Sequence, residues 1–292
     1  MRLETAIIET IAYSDMFDYP LTLDELYHFL VESASRQDVE LSASKMIDVF
    51  LKDGYFFLAG RNEIVELRKR RQAVSLKIFK RAMYYGRILA VLPFVRMVAL
   101  TGSLALLNLS KNPDMDFMIV AKHGRVWTAR AFSIVLGKIA RLFGDTLCPN
   151  IIVSERALEW PLHDLYSARE LYQMIPNNGF DIYRDLLAVN KWTELFLPNA
   201  YPKSSALFTT SKLWRLAEYP LEGGLGDKFE SWEMTRKIAR FSNKANFSEE
   251  TVFTADVCQG NFHHHRKWTL DLYQCCLSTL GVKIDENPGM TL

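Results

Sequence analysis

The sequence predicts an α+β multidomain protein: a winged helix, then a mixed sheet with flanking helices, then a helical C-terminal region. Three observations predict it. The chain has 292 residues, about twice the usual domain size of roughly 150. Hydrophobic residues make up 49% and charged residues 24%, the balance of a globular chain rather than a disordered one. The net charge of +1 conceals a break in composition: residues 1–67 hold five basic against thirteen acidic residues, whereas 68–96 hold nine basic residues and no acid. Such a break is a candidate domain boundary, and the basic run reads equally as a polyanion contact or as a solvated helix face packed beside its acidic neighbour. The break divides the chain into a winged-helix domain (1–67), a basic connecting helix (68–95), a core (96–160) and a helical domain (161–292).

The first segment reads as three helices and a hairpin. Residues 3–13 carry Ile7, Ile8 and Ile11 at helical spacing. Thr22 and Glu25 form a capping box, with Leu21 and Leu26 as its hydrophobic staple, so a second helix starts near Leu23. Ser42 is placed to cap a third, in which Ile47, Phe50 and Leu51 share a face and Gly54 supplies the stop. Residues 55–58 and 63–67 then read as two short strands around Gly60-Arg61-Asn62. Three helices and a two-stranded wing are the pattern of a winged helix. Its acidic balance argues against DNA binding, because phosphate affinity depends on basic groups that displace counterions.

A long helix follows from Arg68 to about Leu92, ended by Pro93. Residues 97–100 form a short strand that enters Thr101-Gly102-Ser103, and 103–108 a short helix. Residues 114–121 are a second strand, and a long amphipathic helix runs from Gly124 to about Phe143. Residues 146–153 are a third strand, with Pro149 indicating an edge or an irregular start. This β-α-β-α-β order implies a small α/β core. Beyond it, residues 167–175, 181–197, 227–245 and 262–280 read as helices.

Several classes are excluded on composition. The longest apolar run, Ile88 to Val95, is far short of the ~20 residues that span a bilayer. Glu4 and Glu9 occupy the start where a secretion signal needs basic and then apolar residues, so the expected location is cytoplasmic, with no membrane partner. Cys148, Cys258, Cys275 and Cys276 show no disulfide rhythm and read as small buried hydrophobes in a reducing compartment.

The chemistry concentrates between Leu100 and Ala121. Gly102-Ser103 stands at a strand-to-helix turn, and ten residues separate Ser103 from Asp114-Met115-Asp116. Glycine lets backbone approach a phosphate closely, serine adds a hydroxyl donor, and the amides opening the next helix point to the same place. Asp114 and Asp116 lie two apart on a strand, so both carboxylates emerge from one face. Paired carboxylates suit hard divalent cations, above all Mg2+ shared with nucleotide phosphates. Met118 and Val120 continue that face as apolar residues, as in a strand covered on both sides.

The stretch GSLALLNLSKNPDMD resembles the GS-x10-DxD signature of the DNA polymerase β-type nucleotidyltransferase superfamily, and is closest to small prokaryotic members. The specific match covers residues 97–121, and the order of elements extends it to about 155. The resemblance implies a nucleotidyltransferase-type mixed sheet and a Mg2+- or Mn2+-dependent transfer of a nucleotidyl group from a nucleoside triphosphate to a hydroxyl acceptor. Gly102 and Ser103 would hold the triphosphate, and Asp114 and Asp116 would ligate the metal. One ion would neutralise the leaving pyrophosphate and a second would activate the attacking hydroxyl. The family's third acidic residue, on the next long strand, corresponds here to Asn150, whose amide oxygen can ligate a cation but brings no charge. Asp145 and Glu155, at the ends of that strand, are its possible substitutes.

Other features are weighed beside this one. Cys258 with His263, His264 and His265 has the residue types of a zinc site, but consecutive histidines on a helix diverge by about 100° each. A helix start capped by Asn261 is the preferred reading. Lys122, Arg125 and Arg130 are placed either to reach phosphate or to face solvent, and Trp192 and Phe196 read as core. The basic segment favours a polyanionic acceptor such as RNA, with a protein or small molecule as alternatives. Two further functions remain open: a nucleotide-binding regulatory module that has lost turnover, supported by Asn150, and a winged-helix DNA-binding regulator.

Overall fold

The computed structural model describes residues 3–110, 114–203, 212–243, 250–260 and 264–282. Three short helices come first: α1 (Leu3–Asp15), α2 (Leu23–His28) and α3 (Arg36–Ala43). A hairpin of β1 (Val49–Lys52) and β2 (Tyr55–Leu58) follows, and then the long α4 (Glu63–Ala90). The middle of the chain runs β3 (Val95–Leu100), α5 (Gly102–Ala105), β4 (Asp114–Ala121), α6 (Val126–Leu142) and β5 (Thr146–Ser154). After it come α7 (Leu165–Gln173), β6 (Ile175–Asn178), α8 (Phe180–Val189), 3-10 turns at Lys191–Leu195 and Lys212–Leu221, α9 (Gly224–Ser242), β7 (Thr251–Phe253), β8 (Val257–Gly260) and α10 (His265–Thr279). Among the described residues no helix is long and apolar enough to cross a membrane.

The capping box forms as expected: Glu25 N donates to Thr22 Oγ1, Thr22 N donates back to Glu25 Oε2, and Leu21 and Leu26 are fully buried. The third helix does not lie where it was expected. It is capped by Ser35, whose hydroxyl accepts from Asp38 N, and it ends before Ile47, which is 87% exposed. Residues 49–52 instead pair antiparallel with 55–58. The reason is the turn. Asp53 and Gly54 both have positive φ, 53° and 82°, the geometry in which an Asp-Gly pair joins two strands tightly. Gly54 thus makes a hairpin and not a helix stop. Residues 63–67 are helical too: Glu63 and Glu66 sit in the first turn of α4, where acidic side chains complement the helix dipole.

Six strands form one mixed sheet in the order β6-β3-β4-β5-β8-β7, in which only β4 and β5 run parallel. The β-α-β-α-β order is present, but β6, β7 and β8 come from the region expected to be helical. Residues 175–178 read Ile-Pro-Asn-Asn, a poor strand by propensity, and the other two strands are too short to show periodicity. Pairing forms them: β6 adds to β3, β8 to β5, and β7 to β8. The single helix expected over 181–197 is interrupted because the Asn190 amide is buried, donating to Leu158 O and Leu186 O while accepting from Trp160 N.

Both faces of the sheet are covered. Val98, Leu100, Phe117 and Ile119 pack against Ala82 and Leu89 of α4 and Trp127 of α6. Met97, Ala99, Met118 and Val120 pack against Leu171, Tyr183 and Leu186 of α7 and α8. Each such side chain, fully buried, contributes about 1.5–3 kcal/mol. The N-terminal core is shared: Ile7, Ile11, Leu26 and Phe29 join Leu165 and Tyr172 of α7 and Tyr273 and Leu277 of α10. Trp192 and Phe196 pack edge to face at the rim of this core, as expected.

Buried carboxylates fasten the C-terminal region to the sheet layer. Glu218 forms a two-pronged pair with Arg96 and accepts from Phe94 N. Glu230 of α9 accepts from Trp127 N, Thr128 N and Thr128 Oγ1, and so satisfies the first-turn amides of α6 from outside that helix. Glu230→Ala should lower stability by about 2–3 kcal/mol in urea denaturation, because it leaves those buried amides without acceptors.

Candidate functional site

The end of β3 sets the geometry. Thr101 N donates to Asp116 O at 2.9 Å, which extends the β3–β4 ladder up to the turn. The next residue, Gly102, has φ +65°, and a Cβ there would stand 2.6 Å from Asp116 Oδ2. Glycine is therefore required twice, for the left-handed backbone and for the close approach. Ser103 is exposed at the start of α5. That helix is one turn long and is closed by Asn108 N donating to Ser103 O. With so short a helix the dipole contributes little, so an anion placed here would meet the Gly102 backbone and the Ser103 hydroxyl rather than a helix end.

The β4–β5 register supplies the rest. Asp116 faces Cys148, and Phe117 faces Pro149, but Met118 faces Ile151, so Asn150 is the extra residue of a bulge. Gly102, Ser103, Asp114, Asp116 and Asn150 all line one cavity of about 760 Å³. The five residues singled out in the sequence are thus brought together. Pro149 marks an irregularity, as expected, although β5 lies inside the sheet with β8 pairing from Ile151 onward.

The other walls come from distant parts of the chain. Tyr13, Phe17 and Tyr19 line the cavity from the N-terminal segment, Arg169 and Glu170 from α7, and His265 and Trp268 from α10. Arg169 is buried, stacked on Tyr13 and Phe29, and donates to Ser14 Oγ and Thr10 O, which ties α7 to α1. Burial lowers its pKa to about 10.

Electrostatics mark the same place. Burial raises Asp116 to about 6, the hydrogen bond from Cys148 opposes the rise, and the Asp114 charge adds to it. Burial and then the Asp116 charge push the Cys148 thiol up to about 12, so it stays a neutral donor. Burial, and after it the Asp116 charge, raises Glu170 to about 7, while the Gln173 amide donates to it and acts the other way.

The donor set fits a hard divalent cation. Two carboxylates repel one another on one strand face, and on the same cavity wall the Asn150 Oδ1 atom is buried without a hydrogen-bond partner. A cation would relieve the repulsion and use the orphaned oxygen. Among the described residues no set of three His, Cys, Asp or Glu side chains converges on a point, so the pair depends on that amide and on ligand oxygens.

Other expected contributors are elsewhere. Asp145 is buried against Arg81 and Tyr85, and Glu155 is exposed, accepting from His123 N. Neither lines the cavity, so neither substitutes for Asn150. Lys122, Arg125 and Arg130 are drawn to Glu222, Asp227 and Glu233 of the C-terminal region and do not line it either. His264 has positive φ at the start of α10, and Asn261 and His263 lie outside the described residues. All four cysteines are free, but Cys148 is a hydrogen-bond donor in the cavity and Cys275 is exposed, so neither is the inert buried residue expected. Glu170, Arg169 and the aromatic wall were not foreseen; they stand on helices whose periodicity indicates packing and carries no motif.

Comparison with protein-family models, curated proteins and solved structures finds no match to the chain.

Because the folded state holds Glu170 near 7, above its ordinary 4.5, its share of stability is full at low pH and lost as pH rises through 7. Glu170→Gln should therefore be more stable than the wild type at pH 8 without divalent metal, by about 1–3 kcal/mol, with the gain gone at pH 5. Thermal unfolding at the two pH values checks the sign.

Proposed function

We propose that this protein is a divalent-metal-dependent nucleotidyltransferase that moves a nucleotidyl group from a nucleoside triphosphate to a hydroxyl acceptor. The observation that carries the reading is the convergence of Gly102, Ser103, Asp114 and Asp116 on one cavity, with the glycine backbone laid against the Asp116 carboxylate. A cavity of about 760 Å³ is within the ordinary range for small-molecule sites.

Each residue has a physical role in that reading. The Gly102 backbone approaches the triphosphate where a side chain would block it, and Ser103 donates a hydrogen bond to a phosphate oxygen. Asp114, Asp116 and the Asn150 oxygen hold magnesium or manganese, which offsets charge on the phosphates and lowers the pKa of a bound hydroxyl. Glu170, titrating near neutral on the same cavity, is the protein group suited to accept the hydroxyl proton. We read the three helices and hairpin as a winged helix recruited to build the cavity wall. Its third helix carries Arg36 against Asp38 and Glu40, which does not suit duplex DNA. Four free cysteines suit a reducing, cytoplasmic setting.

Asn150 favours a second reading, a nucleotide-binding module without turnover, because an amide supplies no negative charge where the resemblance implies an acid. Pyrophosphate release from the four ribonucleoside triphosphates, with magnesium or manganese and a pool of cellular RNA and metabolites, separates the two. Wild type should release pyrophosphate, and Asp114→Asn/Asp116→Asn should reduce the rate roughly a hundredfold or more while remaining folded by circular dichroism. Metal-dependent nucleotide binding without release would select the second reading. Absence of both would refute the site.

A further inference from the structure

We propose that the free edge of β1 is a self-association surface, on which a second copy of this chain docks antiparallel about Phe50 and continues the hairpin as an intermolecular sheet.

The edges of the two sheets differ. In the six-stranded sheet one edge strand, β6, is mostly buried and carries Pro176, and the other, β7, has only three residues. In the hairpin, β2 lies between β1 and a bridge to Leu21, whereas β1 pairs with β2 alone among the described residues. Phe50, Leu51 and Lys52 are exposed along it, Leu51 at 58%. Its ladder holds neither proline nor bulge, two of the devices that blunt an edge.

Hydrogen-bond parity tells which main-chain groups are open. Phe56 stands opposite Leu51 and exchanges both of its main-chain bonds with Leu21, on the far side of β2. Leu51 therefore turns its N–H and C=O away from β2, as an antiparallel non-bonded pair requires. Val49, two positions back, turns outward in the same way, while Asp48 O accepts from Ala59 N inside the hairpin. One antiparallel register joins this outward row to a copy of itself in full. It sets Val49 opposite Leu51 on both sides of a two-fold axis at Phe50, with four main-chain hydrogen bonds.

The side chains select that same register. It places Asp48 of each copy opposite Lys52 of the other, twice across the axis. Both residues are exposed, and neither belongs to an ion pair among the described residues, since Lys69 takes Asp53. The next register in one direction sets Asp48 opposite Phe50, and in the other sets Lys52 opposite Phe50, so each loses both charge pairs. Phe50 meets its own symmetry mate at a non-bonded position, where facing side chains lie closest. It already stacks on Phe57 with centroids 6.3 Å apart, so the contact builds a row of four rings across the joined hairpins. Lysine on an edge commonly prevents pairing; here Lys52 fixes the register of a pairing. So short a contact supports association in the micromolar range.

Sedimentation velocity on the whole chain tests this. Wild type should pass from monomer to dimer between roughly 1 and 200 µM. Asp48→Lys and Lys52→Glu each set two like-charge pairs across the axis, and each should weaken the dimer roughly tenfold or more. Mixed in equal amounts, the two variants should associate again, because both charge pairs are then opposite. Leu51→Pro removes an outward N–H and no bond to β2, and should give a monomer that is folded by circular dichroism. If that variant does not fold, the mixing experiment decides alone. Phe50→Cys in a Cys275→Ser background, which lacks the exposed native thiol, should oxidise to a disulfide-linked dimer. A wild type that stays monomeric throughout overturns the proposal. So does a dimer whose affinity is unchanged by the charge variants, or a mixture that associates no more tightly than its components.

Discussion

The close approach of the Gly102 turn to the Asp116 carboxylate is the constraint around which the rest is arranged. It exists because β3 and β4 stay paired up to Thr101, so the chain turns directly over the next strand. The same register sets Asp116 beside Cys148 and leaves Asn150 in the bulge. A side chain at position 102 would displace the carboxylate, and a shift of one residue in β4 would turn both aspartates to the opposite face. Turn, strand pairing and bulge are one geometric unit.

The cavity also depends on how the flanking layers are held. The N-terminal segment shares its core: its helices bury apolar faces against α7 and α10 as well as against one another, and Arg169 pins α1 from below. On the other side of the sheet, Glu218 and Glu230 are taken out of water to meet an arginine and the start of a helix. A carboxylate that accepts several donors tolerates burial, and the cost of losing those donors keeps each segment in one place.

Legibility in the sequence followed the range of the forces involved. The capping box at Thr22–Glu25, the β3-to-β5 order and the five motif residues depend on neighbours within a few positions, and these were readable. The strand at 55–58 lies where the sequence puts it, but reading Gly54 as a helix stop hides its partner at 49–52 and assigns that role to 63–67. Strand β6, with its proline and two asparagines, owes its form to β3 and has no local signal. Glu170 and Trp268 enter the cavity because helices dock, and nothing in their own neighbourhoods separates them from packing residues. The basic stretch 68–96 was correctly seen as a concentration of charge. Arg68, Lys69 and Arg71 pair with the acidic segment before it, while Arg70, Lys77 and Lys80 stay exposed, so one stretch serves both packing and surface charge.

One consequence follows from the ring contact between Tyr13 and Tyr273, where the Tyr273 hydroxyl also donates to Glu9 O across 264 positions of chain. The cavity is closed by segments that leave the ribosome at widely separated times. The strand pair and turn can assemble early from local contacts, while the aromatic wall waits for α10 to return to α1. A nascent chain therefore forms the Gly102 turn and the aspartate pair before the wall that encloses them, and that end of the cavity stays open to water. Closure of the cavity becomes a late event of folding, because it needs the two ends of the described chain to meet.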